Sequence, residues 1–259
     1  MKRRRVVVAL AVWATLLAAS EPTQAQALTA MGSVGVFSFL GDSVQVVWPE
    51  DKPGASRVEA RGNESLEFKG IGFDLIALRS SREVLQRLLP STKVSLFQSP
   101  TAMSPTEQRA LADGAARSEL PAWMVKTLEE NKLTHVLLVT RHRGTIDART
   151  GEGTTIGRGM VEGIGFYIDT LYSMQNSTTG AVSTGLLAPY TQIRLTLMDA
   201  TSGDILNTYD VRESFAYASR DTKTTATPWT FMPAEEKVRT LRTMVEVGIK
   251  RGVQALLKK

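Results

Sequence analysis

Two histidines, His135 and His142, stand seven residues apart with no acidic residue between them. On a strand that spacing points them to opposite faces. Zinc sites gather three or four ligands at short, defined intervals, so the pair predicts no metal centre. Carboxylates offer a second chemistry. Glu162 with Asp169, and Asp210 with Glu213, are spaced for acid and base work if a cleft brings them together. Solvated strand charges explain the same residues. No G-x-S-x-G surrounds Ser173 or Ser183, so nothing points to an activated serine.

Arg141 and Arg143 flank His142 at the end of an apolar run. If the strand continues, both guanidiniums share a face and suit an acidic partner such as a lipid phosphate or a cell-wall carboxylate. A solvated strand end is the plainer reading. Glycines are the most unusual local feature. Gly151, Gly153, Gly157, Gly159, Gly163 and Gly165 all occupy odd positions, so an unbroken strand would turn them to one side. Such a bare backbone admits a ligand or another chain, or else marks bulges and close packing. The spacing does not match a dinucleotide fingerprint, and no strand leads from it into a helix.

The chain begins MKRRR, continues as an apolar run over 6–19 broken only by Thr15, and reaches Ala25-Gln26-Ala27. This is the pattern of an export signal cleaved after Ala27. The run is shorter than the roughly 20 residues a membrane helix needs. The expected location is therefore a periplasm or the cell exterior, with residues 28–259 as one domain. Four basic residues and Glu21 lie in the leader. Of 31 basic and 26 acidic side chains, the remainder keeps 27 and 25, a net charge of +2. That balance gives no reason to expect a nucleic-acid partner. Cysteine is absent, so the fold must hold without disulfides, and thiol catalysis and zinc–thiolate chemistry are excluded.

The elements that must position these residues follow from periodicity and punctuation. Val34–Leu40 and Val44–Trp48 read as strands, and Gly41-Asp42 between them reads as a hairpin turn. A short strand is expected at Leu66–Phe68, within a segment too polar to carry much core. Asp74–Leu89 repeats apolar residues at helical spacing and stops at Pro90. Val94–Phe97 is a strand. Ser104-Pro105-Thr106-Glu107 is a helix start with a capping box. Pro121 opens another helix that ends near Asn131.

His135–Thr140 is a central strand. Met160–Met174 and Leu186–Met198 are long alternating arms around a turn at Gln175–Gly180, and Ile205–Ser214 follows. Pro233 opens a long final helix with Glu235 and Glu236 in its first turn. The expected fold is α+β: one mixed, mostly antiparallel sheet with helices on its faces and a long C-terminal helix. The helix and strand after the opening strands are expected to make a parallel crossover.

Four segments carry a resemblance. Arg158–Asp169 (RGMVEGIGFYID), Leu187–Asp199 (LAPYTQIRLTLMD), Val34–Asp42 (VGVFSFLGD) and Thr134–His142 (THVLLVTRH) resemble segments of a family of exported proteobacterial proteins. The resemblance covers nearly the whole chain after the leader and implies export, without an activity. More distantly, the element order is similar to the α/β domain shared by the TolB N-terminal region and CsgG-type proteins. There, a strand like Thr134–Thr140 precedes a meander ending in Asp-x-x-x-Gly, here Asp199 and Gly203. The lipidation cysteine of CsgG-type proteins is missing, and no site residues carry over.

These observations lead to an expected non-enzymatic binding or scaffolding module that contacts a cell-envelope protein, with no cofactor. Gly157, Gly159, Gly163, Gly165, Arg141, Arg143, Tyr167 and Tyr190 are its candidate contact residues. Two alternatives stand beside it. One is a hydrolase of wall or polysaccharide using at least two of Glu162, Asp169, Asp210 and Glu213. The other is an oligomeric outer-membrane assembly built on the Met160–Met198 hairpin. The leader makes a direct prediction. N-terminal sequencing of protein recovered from an envelope fraction returns Leu28 as the first residue; recovery of an intact Met1 terminus there contradicts it.

Overall fold

A capping box starts one helix, and Gly72, Pro121 and Pro233 stand at the starts of the other three. The computed structural model describes residues 31–49, 61–68, 70, 72–114, 117–149, 155–175, 182–218 and 227–258. The leader, Gly151, Gly153 and the turn after Gln175 lie outside them. Helix α1 (Phe73–Leu88) buries Phe73, Ala77, Leu78, Val84 and Leu85 along one stripe. Helix α2 (Pro105–Ala112) begins with the anticipated capping box: Glu107 N donates to Ser104 Oγ (3.2 Å), and Ser104 N donates to Glu107 Oε2 (2.7 Å). Helix α3 (Ala122–Glu130) buries Met124 and Leu128. The C-terminal helix α4 (Ala234–Leu256) buries Leu241, Val245, Ile249, Val253 and Leu256 at helical spacing. Its Lys237 is buried and donates to the carbonyls of Trp229 (2.5 Å) and Met232 (2.6 Å), which ties the 3-10 turn Pro228–Phe231 to the helix. Burial depresses the pKa of that ammonium.

Ten strands among the described residues form one mixed assembly: β1 (Ser33–Ser38), β2 (Ser43–Pro49), β3 (Arg61–Glu67), β4 (Lys93–Gln98), β5 (His135–Arg141), β6 (Arg143–Arg149), β7 (Thr155–Gln175), β8 (Val182–Asp199), β9 (Ile205–Ser214) and β10 (Tyr217–Ala218). The main order is β3-β2-β7-β8-β5-β1-β4. The architecture is α+β, as the sequence predicts. β1 pairs in parallel with both β4 and β5, so the expected crossover through α1 is present. The pairs made by β8 are all antiparallel.

β8 is the axis of this arrangement. Its C-terminal part pairs with β5 from Asp199 to Ile193, and its N-terminal part pairs with β7 from Gln192 to Val182. β7 therefore takes over where β5 stops. β1 lies beside β5 and β2 beside β7, each in parallel. β1 and β2 thus run in the same direction and do not pair. This corrects the expected hairpin. At Gly41, φ is +59°, and the chain steps sideways there instead of reversing. A Gly-Asp pair permits either geometry; the pairing partners decide.

The expected short strand at Leu66–Phe68 is the end of a longer one, β3, which pairs with β2 along its whole length. β6 is a further strand that its charged composition concealed. The long arm also differs from an unbroken strand. Up to Glu162, β7 pairs with β6; from Gly163, it pairs with β8. Gly163 adopts φ +69°, and a Cβ there would sit 2.9 Å from Arg141 Cδ. The left-handed turn and the crowding both require glycine.

Three apolar clusters follow from this plan. α1 and α4 cover one face, packing on Val34, Val36, Leu137, Ile164, Phe166, Leu195 and Val211. α2 and α3 cover the opposite face around Phe37, Leu111, Met124, Leu128 and Leu138. The β6–β7 ribbon contributes Ile146 and Val161 to a third cluster with Val47, Tyr167, Leu186, Ala188 and Tyr190. The adjacent parallel strands β5, β1 and β4, with helices on both faces, leave an open end where their C-termini emerge.

Candidate binding cleft

Arg141 closes β5 at the point where β1 ends and β2 has yet to begin. Its side chain crosses to the step between them. Nε donates to the Leu40 carbonyl (2.7 Å), and Nη2 donates to the carbonyls of Leu40 and Ser43 (2.7 Å to Ser43). Asp74, in the first turn of α1, grips the same segment from its other side. It accepts from Ser38 Oγ (2.6 Å), Leu40 N (2.8 Å) and Gly41 N (3.1 Å). The step therefore has its carbonyls met by a cation and its amides met by an anion, as buried backbone groups require. Gln108 of α2 accepts from Arg141 N (3.0 Å) and joins the second helix layer to the clamp.

Burial controls the electrostatics here. Arg141 is 8 % exposed. Burial lowers its pKa, opposed by the charges of Tyr190, Asp74 and Glu162. Burial raises the Asp74 carboxyl, offset in part by the bonds from Ser38, Leu40 and Gly41.

Around this clamp runs a two-part cleft. The first cavity, about 650 Å³, lies at the C-terminal ends of β1 and β4. Residues 38–43, Asp74, Gln108, Arg141 and the 99–103 segment line it. The second, about 670 Å³, opens toward the β6–β7 ribbon, where Val47, Asn63, Arg143, Met160, Val161 and Glu162 line it. Gln45, Pro105 and Arg141 line both. The rule for open α/β sheets places ligands outside the carboxyl ends of parallel strands, where successive connections leave on opposite faces. β1 lies between β4 and β5, with α1 on one face and α2 and α3 on the other, and the first cavity occupies that position.

A smaller space of about 100 Å³ adjoins Arg143 and includes Arg109, Asp113, Arg141, His142 and Arg194. Arg109 pairs with Glu162 at 3.1 Å, and Arg194 pairs with Asp113 (2.7 Å) and Asp210 (2.8 Å). His142 Nε2 is 3.4 Å from Asp210. Burial lowers the His142 pKa more than Asp210 raises it, and Arg194 and Arg212 push it down further. For Asp210, burial acts upward, but the bonds from Arg194 and Arg212 prevail and hold it below the usual carboxylate range.

The candidate residues read from the sequence are dispersed. Arg141 and Arg143 both line the second cavity, although the strand breaks between them and leaves Arg141 buried and Arg143 exposed. Gly163 makes room for the Arg141 side chain, whereas a Cβ on Gly165 would meet the Gln45 carbonyl at 2.0 Å, so that glycine serves strand packing. Gly157 and Gly159 lie in the ribbon opposite Ala148 and Ile146. Tyr167 and Tyr190 are 3 % and 0 % exposed and belong to the core.

Of the four carboxylates, Glu162 faces the second cavity, Asp210 binds Arg194, Glu213 pairs with Arg251, and Asp169 is buried in β7. The structure does not gather them in one cavity. Among the described residues, no group of three His, Cys, Asp or Glu side chains is placed to hold a metal ion, and no helix is long and apolar enough to cross a membrane. Sequence reasoning missed Asp74, Gln45 and Gln108. Asp74 carried a signal, an acid at a helix start, but its targets are supplied by the fold.

No protein-family model matches the chain, and no curated protein matches it. Among solved structures, the chain is similar to a protein from Helicobacter pylori described as a homolog of neuraminyllactose-binding hemagglutinin. The identity is 11 % and the TM-score 0.36, over 88 % of this chain and 84 % of that one.

Both histidines contribute to the dependence of stability on pH. His135 also has its pKa lowered by burial, from 6.5, against the charge of Asp199. Below about pH 6.5, the unfolded chain binds protons that the folded one refuses, so stability is full above that value and falls as pH falls toward the folded-state values. Asp74 acts with the opposite sign lower on the scale: its raised pKa loses stability as pH rises from 3.8 through the folded value. Urea unfolding between pH 7.5 and 5 is expected to show declining stability. His142→Gln should make the decline shallower, since one of two such groups is removed. An unchanged slope contradicts this assignment.

Proposed function

We propose that the protein is an exported, non-enzymatic binding module that engages a component of the cell envelope through the two-part cleft beside Arg141. The observation that carries this reading is the position of the cleft. It lies where the parallel strands end, and three of the charged groups in it are already engaged. Asp74 and Arg141 hold the backbone step, and Glu162 is bound to Arg109. A general base needs a carboxylate within reach of a substrate proton and free to take it. Side chains tied to backbone groups instead make a rigid, preformed wall, which favours binding over turnover. The leader sequence supports the envelope as the place of work.

The glycine-rich ribbon takes a different role in this reading. β6 and the first part of β7 form one wall of the second cavity, with Met160, Val161 and Glu162 in its lining. Their backbone supports a pocket instead of presenting an edge to another strand.

Filling the cleft tests the proposal. Gln45 lines both cavities, and Thr101 is exposed at the rim of the first. The wild-type protein should sediment with isolated envelope material. Gln45→Trp and Thr101→Trp should reduce retention at least fivefold at an unchanged urea midpoint, and the retained component should keep its mass after incubation. Equal retention of both variants, no retention of the wild type, or cleavage of the bound component would each overturn the reading.

A further inference from the structure

Arg141 and Arg143 differ from the other arginines around the cleft. Glu162 answers Arg109, and Asp113 and Asp210 answer Arg194. Neither Arg141 nor Arg143 has a carboxylate of a described residue within ion-pair distance. The bonds of the Arg141 guanidinium leave from Nε and Nη2, so Nη1 donates to no described residue. Arg141 lines the second cavity and keeps 8 % of its surface exposed. Its Nη1 lies beside Gly163, where even a Cβ would come within 3.4 Å of it. Arg143 is exposed and lines the same cavity. The rest of that lining is mixed: Gln45, Asn63 and the Arg109-paired Glu162 are polar, Met160 and Pro105 are apolar and at least partly exposed, and Val47 and Val161 are buried behind them.

We propose that the second cavity binds an organic anion, a carboxylate or phosphate monoester on an apolar body, with its head on Arg141 Nη1 and the Arg143 guanidinium. The two guanidiniums provide planar, always-charged donors suited to carboxylate and phosphate oxygens. Arg141 is already fixed by the Leu40 and Ser43 carbonyls, so the anion need not order that side chain. Met160 and Pro105 give the apolar body a surface to cover, which a bare inorganic anion would leave in water. The volume of about 670 Å³ falls within the range of roughly 300–1,000 Å³ typical of small-molecule sites. A lipid headgroup and a free amphiphilic acid present the same chemistry to it. This assignment rests on reading the cleft as a binding surface, and it names the ligand class.

Calorimetric titration of the purified protein with octanoate, octyl phosphate, acetate, inorganic phosphate and octanol tests the proposal. Octanoate or octyl phosphate should bind at least tenfold more tightly than acetate, inorganic phosphate or octanol. Arg143→Gln, an exposed change, should weaken that binding at least fivefold without moving the urea midpoint. Met160→Glu should weaken it through the apolar wall and the added charge.

Vesicles of neutral phospholipid with and without an anionic lipid separate the sources. Anionic-vesicle binding lost in Arg143→Gln points to a headgroup, and binding of the free amphiphiles without vesicle binding points to a soluble acid. Octanol binding as tightly as octanoate, or no saturable binding by either amphiphilic anion or by anionic vesicles, overturns the proposal. Envelope retention that persists in that case leaves the binding-module reading standing. Anion binding without envelope retention does the reverse.

Discussion

Much of this structure depends on how one interrupted strand is held. Between Ser38 and Ser43 the chain steps from the β5 side of the sheet to the β7 side, and the backbone groups there leave the regular ladder. Arg141 supplies the missing donors and Asp74 the missing acceptors. Leaving a buried carbonyl or amide unpaired costs about 1–3 kcal/mol, so the pair decides whether the step can exist inside a folded protein. Arg141 and Leu40 lie 101 residues apart in sequence, and the clamp joins the opening strand to the middle of the chain.

The step has architectural consequences. Because β1 and β2 continue in one direction, β5 and β7 can follow each other along β8. At the exchange, His142 N donates to the Gln192 carbonyl and Gly163 N donates to the His142 carbonyl, each at 3.0 Å. His142 then leads β6 away from the sheet, and β7 returns with it as the ribbon. The void beside this junction is the cleft. Arg141, which lines both cavities, is the residue that closes the step. A site built on such a group is preorganised, and little ordering remains for a ligand to impose.

Much of the element order was legible because it is locally encoded. Ser104 to Glu107 contain the whole capping box, and the apolar periodicity of α1 and α4 follows from the single stripe each buries. His135–Thr140 reads as a strand because helix layers cover both its faces. β3 was legible only at its end, since its sequence RGNESLE is polar and its exposed residues need no apolar partner. β6 was hidden for the same reason: among its described side chains, Ile146 is the fully buried anchor. The step at Gly41 was misread because glycine allows a reversal and a sidestep alike, and only the partners of β1 and β2 distinguish them.

The candidate site was legible in part. The run Arg141-His142-Arg143 lies beside the cleft, but one arginine is buried and the other exposed because the strand breaks at His142. Tyr167 and Tyr190 looked like contact residues on a long arm, yet the folded ribbon covers that face and takes both into the core. Asp74 and Gln108 could not be recognised alone, since each matters through backbone groups brought to it by other elements.

The dependence of the fold on the clamp is open to a single direct measurement: urea denaturation of Arg141→Met, which keeps an unbranched apolar stem and removes the donors. Two carbonyls lose their charged partner, so the account predicts a loss of about 2 kcal/mol or more. Stability within about 0.5 kcal/mol of the wild type, as expected for an inconsequential surface change, would contradict it.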